Sequence, residues 1–75
     1  MKSPFGENMR IARTTWGYTQ ERAAELIGIS RASVAAYELS NAQPSFEILE
    51  KIIEVYRIVD LSDFIFDPHY FSSPR

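Results

Sequence analysis

Three residues, Gly28-Ile29-Ser30, separate two short segments that each carry the marks of an α-helix. The first opens at Thr19, whose hydroxyl suits an N-cap, with the acidic Glu21 in its first turn. It turns Ala23, Ala24 and Ile27 to one side and stops at Gly28. The second opens at another N-cap residue, Ser30, and runs from Arg31 to Glu38. So short a connection constrains the geometry tightly. The chain must turn sharply, and Gly28 can take the left-handed conformation this requires without a Cβ penalty. Two helices joined in this way cross steeply. The crossing point must then be small, and Ala24 offers only a methyl. Ile29 and Val34 are placed to fill the angle between the helices.

The rest of the chain reads as helices packed around this pair. Phe5, Met9, Ala12 and Trp16 recur at three- and four-residue spacing, which predicts a helix over 5–16 that ends at Gly17. Asn41-Ala42-Gln43-Pro44 reads as a loop. Ser45 caps a fourth helix with Glu47 in its first turn, and Ile48, Leu49, Ile52, Ile53 and Tyr56 give it a broad apolar face. Leu61, Phe64 and Ile65 predict a short fifth helix capped near Asp60 or Ser62, and Asp67-Pro68 ends regular structure. With 75 residues the chain is bounded at one domain, and a domain this small buries only about 60% of the surface its unfolded chain exposes. The expectation is an all-α, five-helix domain over 1–66 and a short tail over 67–75, in which Tyr70 and Phe71 are the packing material.

Composition argues against catalysis. There is no cysteine and a single histidine, His69, so neither a thiol nor a serine triad nor a thiolate metal site can be assembled. His69 reads as structural or exposed. The three glycines are scattered rather than gathered into a phosphate loop, and Glu47, Glu50 and Glu54 share one face of the fourth helix as a solvated stripe. No enzyme activity, metal or cofactor is expected. No leader sequence follows Met1, and no apolar run approaches the roughly 18 residues of a membrane span, so a soluble cytoplasmic protein without membrane contact is expected. The net charge of −2 is unevenly spread. Lys2, Arg10, Arg13, Arg22 and Arg31 outnumber the acids of residues 1–44, whereas Glu47, Glu50, Glu54, Asp60, Asp63 and Asp67 outnumber the bases of 45–75. A polyanion would dock on the first half, with a weak electrostatic drive.

Several residues in order carry a resemblance. They are Arg10 and Arg13 before Gly17, then Thr19-Gln20-Glu21, Ala24, Gly28-Ile29-Ser30-Arg31, Val34, Tyr37-Glu38 and Pro44, followed by Leu49, Ile53, Tyr56, Leu61 and Phe64. Any one of these is common; the ordered set, from about Phe5 to Phe66, resembles the lambda-repressor/Cro family of helix-turn-helix domains, also called the XRE family. The resemblance implies a transcriptional regulator, as a repressor, reading a pseudo-palindromic operator in the major groove of double-stranded DNA. It implies that the Arg31–Glu38 helix reads bases through Arg31, Ala32, Ser33, Ala35 and Ala36. Arg31 is the most informative of these, because a guanidinium bonds bidentately to guanine O6 and N7. Gln20 would contact a phosphate and brace the reading helix; Arg10, Thr19, Asn41 and Gln43 would lie along the backbone. Arg13 and Glu38 would form a structural ion pair.

Ile58, Leu61, Phe64, Ile65, Phe66, Tyr70 and Phe71 together offer more apolar surface than a small core can bury, which points to a homodimer; the resemblance agrees, and the contact is expected at Ile58, Leu61, Phe64, Ile65, Tyr70 and Phe71. One reading helix with a single strong base-reader gives modest affinity, and linking two raises it. Some residues depart from the family pattern. Ser40 stands where glycine is usual, Ala23 replaces a larger apolar residue, and Ile11 and Trp16 replace polar ones. Trp16 either lies flat over its own helix or forms, with Ile11, an apolar patch for a partner. The second alternative supports a rival reading: an interaction module, such as an antitoxin, that neutralises a toxin. Polymerase is a further possible protein partner.

Overall fold

A computed structural model of the chain describes residues 4–40 and 42–71. It contains α1 (Phe5–Thr15), α2 (Gln20–Ile27), α3 (Arg31–Leu39), α4 (Phe46–Tyr56) and α5 (Leu61–Phe66), with no strand among the described residues. The all-α, five-helix expectation is met. The helices start where short polar side chains satisfy otherwise unbonded backbone donors. The Thr19 hydroxyl accepts from the Arg22 N–H at 3.0 Å, and Ser30 from Ser33 at 3.1 Å. Ser45 accepts from Ile48 at 3.3 Å, and Asp60, rather than Ser62, from Asp63 at 3.1 Å.

The ends are as specific as the starts. α1 finishes at Thr15, one residue earlier than the hydrophobic spacing predicts. Gly17, at φ 77°, donates to the Thr14 carbonyl at 3.0 Å, and Tyr18 donates to Arg13 at 3.0 Å, the pair of bonds that closes a Schellman turn. Gly28 ends α2 at φ 88° and donates to Ala24 at 2.8 Å.

Phe5, Met9 and Ala12 of α1, Ala23 and Ile27 of α2, Ile52 and Tyr56 of α4, Phe64 of α5, and Tyr70 beyond it form the core. Phe64 is wholly buried and meets the rings of Phe5 and Tyr70 edge-on, with centroids 5.8 and 5.4 Å away. α3 packs on α1 and α2, α4 packs on α2, and α5 closes over α1. Two residues expected at a dimer contact, Phe64 and Tyr70, are therefore corrected to core positions: their rings are consumed by packing within the chain. That packing also runs past residue 66 to include Tyr70. No helix among the described residues is long and apolar enough to cross a membrane.

Candidate nucleic-acid interface

α2, the turn and α3 are held as one unit by a polar brace at the inner end of α3. Arg13 Nε donates to Glu38 Oε2 at 2.7 Å and its Nη2 donates to Oε1 at 3.2 Å, a bidentate pair. The remaining Arg13 amino group donates to the Tyr18 carbonyl at 2.9 Å. Gln20 Nε2 reaches the same Glu38 oxygen at 3.4 Å. One carboxylate thus gathers α1, the first turn of α2 and the last turn of α3. The Glu38 side chain is only 1% exposed, so the cost of removing its charge from water must be met by these partners. The hydrogen bond to Glu38 holds the Arg13 guanidinium above its already high ordinary pKa. Arg13 and Glu38 are thus paired, and Gln20 lies against the same carboxylate.

Beneath the brace, Gly6 lets α1 pass close to the end of α3. A Cβ there would stand 2.8 Å from the carbonyl oxygens of Tyr37 and Glu38. Tyr56 closes the same region from α4. Its hydroxyl has no hydrogen-bond partner among the described residues, and burial, aided by the Glu38 charge, pushes its pKa up to about 12.

Val34 and Glu38 face inward from α3, while Arg31 and Ala32 are exposed and Ser33, Ala35 and Ala36 are half-buried. Several expected contact residues already have partners. Arg31 Nε lies 2.6 Å from Glu21 Oε1 on α2, an ion pair. The Ser33 and Ser30 hydroxyls lie 3.0 Å apart. Arg10 pairs with Glu7 one turn earlier on α1. The Thr19 oxygen accepts a cap bond, and its hydroxyl hydrogen remains a donor. Gln43 is exposed in the segment before α4, and Asn41 lies outside the described residues.

Trp16 departs from the first expectation for it. Its indole Nε1–H donates to the Tyr56 carbonyl at 3.0 Å, tying α1 to the end of α4 rather than lying over its own helix. Arg57, left-handed at φ 54°, ends α4 and places its guanidinium 5.5 Å from the ring centroid. Trp16 remains 45% exposed, but its polar edge is committed to the fold. Ile11 is half-buried.

Sequence reasoning missed Glu21 as a partner of Arg31, and it missed Gly6 and Asn8. Asn8 is buried, and its side-chain amide donates to the carbonyls of Phe64 at 2.8 Å and Asp67 at 2.9 Å, capping the end of α5. A signal for it existed, since Asn8 is a polar residue on the apolar stripe between Phe5 and Ala12.

Residues 9–64 match the profile of the helix-turn-helix family. The chain is 37% identical over 51 residues to an SPbeta prophage-derived uncharacterized HTH-type transcriptional regulator, YonR, of Bacillus subtilis, a match covering 68% of this chain and 47% of that protein. It is 30% identical over 70 residues to the HTH-type transcriptional regulator PuuR of Escherichia coli, covering 93% of this chain and 37% of that one. An uncharacterized regulator of the same type from Bacillus subtilis, YqaE, is 34% identical over 58 residues, or 77% of this chain and 47% of its own length. The chain spans less than half the length of each of these relatives.

Proposed function

The chain belongs to the helix-turn-helix family, and from this we propose that it binds double-stranded DNA sequence-specifically and regulates transcription, with α3 in the major groove. The observation that carries this reading is the presentation of α3. Its inner end is clamped through Glu38 to Arg13 and Gln20, while its first turn, Arg31 and Ala32, stands exposed beyond the α2–α3 turn. Arg31 reads a guanine. Ala32, Ser33, Ala35 and Ala36 allow close approach or touch thymine methyls. Thr19, Gln20, Arg10, Asn41 and Gln43 meet the backbone and set register without reading sequence. Repression follows where the site overlaps a promoter. The relatives described above are transcriptional regulators in name, which supports the class of function.

The protein acts as a two-fold dimer on a pseudo-palindromic site. With Phe64 and Tyr70 assigned to the core, the contact falls to Ile58, Leu61, Ile65 and Phe71, joined by Phe66, which is 70% exposed. The reading as a toxin-neutralising module has less support, because Trp16 is bonded to α4 and Ile11 is half-buried.

Selection of bound duplexes from a randomised pool, with Arg31→Ala in parallel, tests the proposal. A two-fold motif with guanine at a fixed position, blurred in the variant, is the expected result. No enrichment by folded protein overturns it.

A further inference from the structure

Glu21 and Arg31 stand on different helices, on either side of the sharp turn, with their side chains 63% and 64% exposed. The 2.6 Å contact joins a carboxylate oxygen to Arg31 Nε. An ion pair so open to solvent contributes little to stability, so its consequence lies in where it holds the guanidinium. Nε is the inner edge of that group. The outer edge, formed by the two Nη groups, stays available, and a paired donor edge of this kind matches guanine O6 and N7. An unrestrained arginine would have to freeze several rotatable bonds to read a base, and it would be drawn equally to the nearest phosphate. A carboxylate at Nε opposes both tendencies: it fixes the side chain beside the turn and repels the phosphate backbone.

We propose that Glu21 is a positioning residue for DNA recognition, holding Arg31 by its inner edge so that the outer edge is presented to a base rather than to a phosphate. This rests on the assignment of Arg31 as the base-reader. It carries a signature that a merely structural glutamate would lack: Glu21 weakens general attraction to DNA and sharpens discrimination.

The test uses the intact chain and two duplexes, the selected site and the same site with its fixed guanine replaced. Dissociation constants for both are measured with the wild type, Glu21→Ala, Glu21→Gln, Arg31→Ala and the Glu21→Ala/Arg31→Ala double variant, after melting curves establish that each is folded. Glu21→Ala should lower the ratio of the two constants about two- to fivefold, the span of an exposed ion pair, while binding to the altered duplex stays equal or tightens. Glu21→Gln, which keeps an acceptor oxygen, should fall between. In the Arg31→Ala background, Glu21→Ala should leave the ratio unchanged. If Arg31→Ala lowers the ratio and Glu21→Ala either leaves it intact or raises it, the positioning role is wrong and the base-reading role stands. If Arg31→Ala itself leaves the ratio unchanged, the base-reading assignment is lost, and Glu21's role with it.

Discussion

Glu38 is the residue on which the geometry of the interface depends most. It is a buried carboxylate whose charge is tolerable only because Arg13 meets it with two bonds and Gln20 with a third. Removing Arg13 would strand that charge, so Arg13→Ala should cost about 3–5 kcal/mol. In a domain this small that is a large share of total stability. Chemical denaturation of the variant checks this, and a loss below about 1 kcal/mol would show that the pair behaves as an exposed one. Tyr56 shows the opposite case, a buried polar atom without a partner. Deleting its hydroxyl with Tyr56→Phe should change stability by no more than about 1 kcal/mol near neutral pH, because no hydrogen bond is lost. Alkaline pH should separate the two proteins. An acid whose pKa rises on folding keeps its proton longer in the folded state. Between pH 10, where an ordinary tyrosine ionises, and about 12, where Tyr56 does, unfolding releases a proton and stability falls as pH rises. The denaturation midpoint of the wild type should therefore drop more steeply than that of Tyr56→Phe across this window. Parallel curves would mean that Tyr56 ionises normally.

At the scale of the helix, α5 has only six residues and too few internal bonds to be stable alone. Asp60 caps its start, and Asn8 of α1 holds its last turn through the carbonyls of Phe64 and Asp67. Asn8→Leu keeps the volume but leaves both carbonyls without that donor in a buried place, at a cost of about 1–3 kcal/mol. Hydrogen exchange should show amides of α5 and Tyr70 losing protection while those of α1 to α3 keep theirs; uniform loss would indicate that α5 opens only with the whole domain. The same contrast between local and distant bonds explains what the sequence disclosed. Thr19, Ser30 and Ser45 were legible as caps because each bonds a backbone N–H three residues on, and Gly17 and Gly28 because the turns demand positive φ. Asn8 and Trp16 bond to carbonyls 56 and 40 residues away. No local pattern encodes those partners, nor the nearness of Gly6 to the end of α3. The resemblance supplied the Arg13–Glu38 pair. It did not supply Glu21 as the partner of Arg31, because two exposed charges on neighbouring helices meet only once the turn is built.

For the whole molecule, the decisive quantity is how many of the cations near α3 are already committed. The net charge is −2. Among the described residues of 4–40, which include α3, Arg10 is paired with Glu7, Arg13 with Glu38 and Arg31 with Glu21, and Arg22 has no ion pair. Counterion release scales with the number of phosphates neutralised, and six to ten such contacts give a slope of log K against log salt of about −5 to −9. With Arg10, Arg13 and Arg31 already facing carboxylates, binding should release fewer ions. Binding to the selected site should therefore show a slope shallower than about −5, with neutral donors such as the Thr19 hydroxyl and the Gln20 amide making contacts that carry no counterion term. Titrations at several salt concentrations measure this directly. A steeper slope would mean that Arg10 and Arg31 leave Glu7 and Glu21 on binding and turn to the phosphates. In that case Glu21 would compete with the phosphates for Arg31 instead of aiming it at a base, and Glu21→Ala should tighten binding to both duplexes alike and leave their ratio unchanged.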